Sequence, residues 1–556
     1  VIPTERALWD YAFARQGWFG PYPVRDGTPT LSLASAAAGA GPTAMLAWPT
    51  LATPRAGALA PVFGGDFYER LHFSSTLLAL GNVVGVQERA VAVWNAQRRA
   101  RRLTAIDFAN AAGVLISAGS VPADLPALSD STWTVRVTQD GPPVIAATLT
   151  WQFDGPQSVP VLVTGNRVTA WVWLADWSQP VVERLEWLTD VLTAHNGDER
   201  RRSLRAAPRR SAEFGYVAEG DARRQLELLL HGWGARVWAR PVWEAVTRLP
   251  AAASAGATTL AADTTGGGFA AGGLAMLHDG ATRAELVEVS AVAAASLTLL
   301  RPTAGAWPAG TRLYPAHAAR LAEAAQLRHE SSALSVGRAR FDDEAPATLS
   351  TAHGLATYRG VPVLALRHDW DEAPEIALDR KLARLDNLTG RPLVEDESGR
   401  PAPRQSRLYT LASRAEAETW RRVLAALRGR HGALWLDSAT DDLRIVAPVA
   451  AAAVTLDVRW CGYTLYAQGH VGRRDLRIAT TAGVFMHRVV SSVELTADVE
   501  RLTIDAALGV DLALAQIERV SWLHPVRLDA DAAEIAWETD TVARSRVAWR
   551  SVPDVL

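Results

Sequence analysis

The sequence predicts a mainly β chain with a few helices, divided into several domains. Three observations carry this. At 556 residues and 59.8 kDa the chain exceeds what one hydrophobic core organises, which sets a prior of about three to five domains. From Phe67 onward, short runs of alternating apolar and polar residues are separated by Gly, Asn and Pro turns, as in half-buried strands. Helical spacing is confined to short stretches, and two of these sit inside nearly the same phrase, written twice.

Residues 1–65 are rich in Pro, Gly and Ala ("SLASAAAGAGPTAMLAWPTLATPRAGALAP") with little alternation, and are expected to form an extended N-terminal arm that orders against partners. Residues 66–170 alternate with period two through "TWTVRVTQDGPPVIAATLTWQF" and "VPVLVTGNRVTAWVWL", with turns roughly ten residues apart, which points to an immunoglobulin-like β-sandwich. "VVERLEWLTDVL" (181–192) has helical or mixed spacing. "DARRQLELLLHGWG" places Leu226, Leu229 and Leu230 on one helical face, with Asp221 as a possible N-cap. Residues 250–315 hold four short strands closed by "WPAGTRLYP" and read as a small inserted β-domain, barrel-like or a sandwich, because such strands bury a face only by closing or stacking. The later half repeats strand, helix and strand, with a second β insertion expected over 447–499, and ends in strand-like "AEIAW" and "SRVAWRSV".

The repeated phrase is the main organising signal. "HGWGARVWARP" (231–241) is answered by "RGRHGALWLDS" (428–438). Extended upstream, Pro208 matches Pro403, Ser211 matches Ser406, Phe214 matches Tyr409, Gly234 matches Gly432 and Trp238 matches Trp435. "SAEFGYV" and "SRLYTLA" carry aromatics on alternate positions, as strands do. In the second copy Ser413 and Glu416 have capping-box spacing, Trp420, Val423, Leu424 and Leu427 recur at helical spacing, and Gly429 and Gly432 end the helix. The unit is a sheet packed on one helix.

Bulk properties exclude several classes. Net charge is −2, so nothing drives the chain globally toward nucleic acid or anionic membrane. No apolar run reaches eighteen residues, so no membrane helix is expected, and "VIPTERALWDYAF" lacks the basic-then-apolar order of a secretory leader. The single cysteine, Cys461, rules out intrachain disulfides and is expected as a small core residue beside Trp460. Lys381 is the only lysine, and 21 tryptophans supply sandwich cores and large contacts.

The candidates for chemistry all read more simply as structure. His431 with Asp437 has the residue types of an acid–base pair, but the first copy of the phrase preserves only its Gly and Trp skeleton. Glu395, Asp396 and Glu397 form an acidic loop beside Gly399, a solvated tip rather than a glycosidase pair. Asp529, Asp531 and Glu534 with His524 fit neither a calcium loop nor a helical zinc pair. Thr264–Gly273 ("TTGGGFAAGG") lacks the Lys-Ser/Thr of a phosphate loop, and neither G-x-S-x-G nor H-E-x-x-H occurs. Two arginine clusters (98, 99, 101, 102 and 200, 201, 202, 205, 209, 210) suit subunit interfaces or a solvated face, with DNA phosphate as the other reading. No catalytic, cofactor or metal residue is expected.

The strand, helix and "G-R-x-G-A-x-W-L" phrase resembles the distal tail and tail-tip proteins of long-tailed bacteriophages. "GNVVGVQERAVAVWNAQ", "EWLTDVLTAHNGDERRRSLRAAPRRS" and "SWLHPVRLDADAAEIAWETDTVA" also resemble segments of large tail proteins from such phages. The resemblance covers most of the chain after Phe67 and implies a non-enzymatic virion component of the tail tip, made in the bacterial cytoplasm. It implies a first tail-tube-like domain at 171–249 with 316–345 and a second at 346–446 with 500–556. Family members typically carry one such domain and form six-fold rings. Two per chain imply a homotrimer acting as a pseudo-hexamer, with a homohexamer as the alternative. The implied partners are the tube protein on one side and hub or fibre proteins on the other, with no membrane and DNA only in passage through the lumen. The other readings are a host-glycan-binding or cell-wall-degrading tail protein, served by exposed tryptophans, and, last, a non-viral secreted multi-domain β-protein.

Overall fold

The computed structural model describes residues 67–552, apart from 139–140, 143, 156, 195, 233–235, 282 and 471. The expected N-terminal arm and Gly234 therefore lie outside the described residues. Strands dominate, and helices are few. No described helix is long and apolar enough to cross a membrane. The chain divides into two compact units, with the boundary between Thr169 and Ala170 and with Arg236 and Val237 grouped with the first.

The first unit is sandwich-like. One sheet runs Leu71–Phe73, Gln87–Asn95, Ser129–Val137, Val114–Ala118. The other runs Ala123–Leu125, Arg101–Ala109, Val144–Phe153, Ser158–Ala170, with Leu77–Val83 added in parallel. Every second residue faces inward, so Val91, Val93, Trp133 and Val135 meet Leu103, Leu149, Trp151, Val161 and Val163 in one core.

The second unit is built twice. Its first half holds β1 (Val181–Glu186), β2 (Thr189–Thr193), β3 (Glu199–Ser203), β4 (Arg209–Glu219), α1 (Gly220–His231), β5 (Val237–Pro241), β6 (Thr259–Ala261), β7 (Leu274–His278), β8 (Ala284–Ala293), β9 (Ser296–Leu299), β10 (Arg312–Leu321), β11 (Gln326–His329) and β12 (Leu334–Asp343). Its second half holds β13 (Ile376–Asp379), β14 (Leu382–Leu385), β15 (Leu393–Asp396), β16 (Ala402–Leu411), α2 (Arg414–Leu427), β17 (Leu434–Asp437), β18 (Thr455–Arg459), β19 (Asp475–Thr480), β20 (Gly483–Thr496), β21 (Val499–Ile504), β22 (Ile517–Leu528), β23 (Ala532–Trp537) and β24 (Ala543–Ser551). Two-residue strands aside, each strand of the first half has its counterpart twelve labels later.

The pairings match one for one. β1–β4, β2–β3, β4–β12, β5–β10, β10–β12 and β11–β12 in the first half are antiparallel. Their counterparts β13–β16, β14–β15, β16–β24, β17–β22, β22–β24 and β23–β24 are antiparallel too. The insertions repeat as well: β6–β9, β7–β8, β7–β10 and β8–β9 are answered by β18–β21, β19–β20, β19–β22 and β20–β21. The duplication thus includes the β insertions, and the second insertion's sheet continues to Ile504, past the expected limit at 499.

Local chemistry explains the helix ends. Ser413 caps α2, its hydroxyl accepting from Glu416 N at 3.2 Å, while the Glu416 carboxylate accepts from Ala412 N at 2.9 Å. That return bond falls one residue before the cap position a capping box would use. After α2, Arg428 and Gly429 adopt left-handed φ of 52° and 68°, and Gly432 N reaches Leu427 O at 2.6 Å. A Cβ on Gly432 would lie 2.7 Å from Leu427 Cα, so glycine is required by close approach.

Two local expectations are corrected. Residues 181–192 form strands, not a helix: Val181, Glu183, Leu185 and Trp187 are the buried positions, and an inward-facing glutamate hides the period-two pattern. Asp221 does not cap α1. The N-cap is Glu219, without a side-chain cap bond, and Asp221 instead pairs with Arg224 in the first turn.

Candidate functional site at the repeat junction

Among the labelled strands of the second unit, one described pairing has no counterpart, and it joins the two halves. β1 is hydrogen-bonded to its own β4 on one side and to β23 of the second half on the other, from Val181↔Trp537 to Glu186↔Ala532. Beyond the end of β1, Trp187 N donates to Asp531 O at 2.8 Å. The Asp531 carboxylate accepts from Thr189 N and Arg430 N, both at 2.9 Å, and from the Arg430 guanidinium at 3.0 Å. These bonds hold the carboxyl below the usual range against the opposing effect of burial.

Buried charges line the same seam. Arg421 of α2 donates to Glu183 of β1 at 2.9 and 2.6 Å and to Glu244 at 3.3 Å, with its guanidinium 5.2 Å from the Trp537 ring centroid. Burial works to raise the Glu183 pKa, but Arg421 and Arg210 outweigh it and hold the group ionised. Glu244 is shifted the other way, by burial and then by the charge of Glu183. Arg210 and Arg240 both reach Asp343 at 2.8 Å. Burial and the Arg210 charge push His317 beside them down to about 3. Arg527 of β22 grips Glu199 of β3 with two bonds of 2.7 Å, both side chains nearly fully buried. Such pairs are geometrically demanding and costly to break, which suits a fixed joint.

The repeat residues divide between core and surface. Phe214, Trp238, Tyr409 and Trp435 are fully buried, and Pro208 is buried as well. Phe214 and Tyr409 stand in register opposite Ala339 and Ser545, and Trp238 and Trp435 opposite Ala319 and Pro525. Ser211 and Ser406 sit on β4 and β16, facing Asp342 and Ala548, while Pro403 is half-buried opposite Leu378. The structure does not use them as a cluster; they are equivalent positions in two sheets.

Most of the remaining acidic candidates are taken up by ion pairs. Asp437 is held by Arg407, Arg477 and Arg519, while burial and the charges of Arg201 and Arg428 lower His431. Asp396 and Glu397 pair with Arg380 and Lys381 on the β14–β15 hairpin. Asp529 meets Arg527 and Glu534 meets Arg184. The arginine clusters split: Arg101 is buried on Asp154 and Arg210 is in the seam, whereas Arg98, Arg99, Arg102, Arg200, Arg202 and Arg209 are exposed. Cys461 is exposed rather than core, because its backbone N–H turns inward to the buried Glu500 carboxylate. Sequence reasoning missed Glu183, Arg421 and Glu199; the signal was charge at strand positions for the two glutamates, and for Arg421 a charge beside Trp420 on the buried side of α2.

Two cavities flank these elements. One of about 510 Å³ lies among Glu199, Arg404, Arg473, His524 and Arg550. There His524 accepts from Arg473 at 3.2 Å and is pushed to about 3 by burial and that charge. A cleft of about 190 Å³ is lined by Trp370, His368, Asp437, Arg477 and Arg519. Among the described residues no group of His, Cys, Asp and Glu has the arrangement of a metal site.

No family model and no curated protein matches this chain. Among solved structures, a Porphyromonas gingivalis W83 protein of unknown function is similar at 18% identity over 17% of this chain and 46% of its own, with a TM-score of 0.15. The E. coli chaperone DraB matches at 11% identity over 26% of this chain and 89% of its own, TM-score 0.14. The secreted serine protease VesC from Vibrio cholerae matches at 9% identity over 43% of this chain and 48% of its own, TM-score 0.15. The chain thus spans under half the length of the first and third.

Proposed function

We propose that the chain is a non-enzymatic building block of a bacteriophage tail tip, a distal-tail-like ring component that joins the tail tube to hub or fibre proteins. The observation that carries this reading is the duplication: one polypeptide presents the same sheet-and-helix unit twice, each with an insertion at the same place, joined by a rigid seam. In this reading the 67–169 sandwich is the immunoglobulin-like module, and the two halves of the second unit are the tube-like domains. Three chains then offer six units to a six-fold tube and three-fold symmetry to the tip. Head-to-tail association of identical units closes into rings when the rotation permits. The polar seam supports the reading as well, since its acids and bases are consumed by one another rather than aimed at a substrate.

The test is location. Antibodies to the chain should decorate one end of phage-like tails in particles carrying it. Label spread along the tail or confined to heads would overturn the proposal. A glycan-degrading alternative draws on Trp370, 61% exposed beside the Asp437 cleft. Turnover of cell-wall glycan that is lost on Asp437→Asn would establish that alternative in its place.

A further inference from the structure

We infer that a second copy of this chain docks on the two edges that the duplication leaves open, setting β13 of one chain beside β11 of the next. The template is inside the molecule. At the internal seam, β1 inserts its free edge against β23 and its inward face lies beneath α2. The counterpart of β1 is β13, and the counterparts of β23 and α2 are β11 and α1. Among the described residues β13 pairs only with β16 and β11 only with β12. Every pairing among the labelled strands of the first half is thus reproduced in the second, and among those strands the one missing twin is the pairing that needs another molecule.

Exposure follows the same logic. β1 buries Val181, Glu183 and Leu185, while β13 is exposed throughout, with Ile376 at 45% and Leu378 at 61%. β23 buries Ala533, Ile535 and Trp537, while no residue of β11 is buried. Leu226 stands seven residues after the N-cap of α1, as Trp420 does after that of α2. In that alignment Leu229 and Leu230 are half-exposed where Val423 and Leu424 are buried. An unpaired strand edge carrying apolar side chains is a template for pairing. Because the two edges differ, the contact is heterologous: a chain offers β13 forward and β11 backward, and the series ends only by closing.

This deepens the ring reading above by naming the contact, yet it is tested separately. In the full chain with Cys461→Ser, Leu327→Cys and Leu378→Cys together should give a ladder under a short thiol cross-linker. The ladder should stop at the mass of the native oligomer. Either cysteine alone should give no cross-linked pair. Ile376→Lys with Leu378→Glu, at positions already exposed in the single chain, should convert the oligomer to monomers with an unchanged circular dichroism spectrum. A native oligomer that resists both edge substitutions, a dimer cross-linked through one cysteine alone, or a chain monomeric at every concentration overturns the inference. End-labelled tails alongside a monomeric purified chain would sink this contact and leave the tail-tip reading standing. The converse result would do the reverse.

Discussion

Replacing Arg421 by alanine tests whether the seam is the joint of the second unit. The substitution strips the Glu183 carboxylate of its two shortest bonds, at 2.9 and 2.6 Å, and leaves Arg210 at 3.8 Å, with Arg240 acting on it as well. Glu183 is 4% exposed and Glu244 is 6% exposed, so water replaces little of what is lost. Removing one partner of a buried ion pair costs about 3–5 kcal/mol. The lost stacking of the guanidinium on Trp537, 5.2 Å away, falls within about 0.5–2 kcal/mol more. Arg421→Met combined with Glu183→Gln should recover most of this, because neither buried charge then stands alone. The pH dependence has a definite sign. In the native chain the folded pKa of Glu183 is depressed, so its stabilisation is present above about 4.5 and is lost as pH falls through the folded value. In Arg421→Ala burial dominates and the folded pKa rises, so the deficit against the parent should shrink on acidification. Urea unfolding followed by tryptophan fluorescence reads both effects, with Trp537 beside the altered site. A loss under about 1 kcal/mol, or a double substitution as costly as the sum of the singles, would refute the joint.

Other outcomes follow from single residues. Trp238→Ala and Trp435→Ala, both fully buried, should each cost about 3–5 kcal/mol in urea melts. Ser413→Ala should cost about 0.5–2 kcal/mol through loss of the α2 cap, whereas Asp221→Ala, at an exposed first-turn position without a capping bond, should cost within about 0.5 kcal/mol. His524 sits at about 3 when folded against 6.5 unfolded. Its contribution is therefore fully present above about 6.5 and is lost as pH falls toward 3. About 2 kcal/mol should go between pH 7 and 5, and His524→Gln should flatten that slope in melts across the range.

Where a side chain's chemistry agreed with its burial, the sequence was readable. Alternation located the strands of the first sandwich and of the 250–315 insertion, because Val, Leu and Trp fill the inward positions there. Ser413, Trp420 and Gly432 marked the start, face and end of α2. Elsewhere burial and polarity disagree. β1 carries a glutamate toward the core, so its period vanishes in the residues and returns only when Arg421, distant in sequence, supplies the countercharge. Glu199 with Arg527, 328 positions apart, is hidden for the same reason. The duplication was visible as a 48-residue phrase at most, because only glycines at close approaches and aromatics in the core are fixed by the fold. The repeated insertions share strand order without a shared phrase.

Divergence between the two helices bears on how copies would add. α2 meets the first half of its own chain, and it places Trp420, Arg421, Val423 and Leu424 where α1 has Leu226, Glu227, Leu229 and Leu230. The inner seam is thus bulky, buried and locked by a guanidinium. The outer one is lighter, and its Glu227 carries the opposite charge, paired within α1 to Arg223 at 2.5 Å. Were the two halves interchangeable, one chain could fold back and satisfy its own open edge with its neighbour's inner one, and assemblies of mixed register would compete. Unlike seams remove that degeneracy, since α1 has Glu227 at the position where α2 offers Arg421 to the buried Glu183, and so makes a poor substitute for α2. Exchanging the pair, Glu227→Arg with Arg421→Glu, should therefore damage folding of the single chain before it alters association. Intact folding with a changed oligomer mass would show that the two seams are not told apart by this charge.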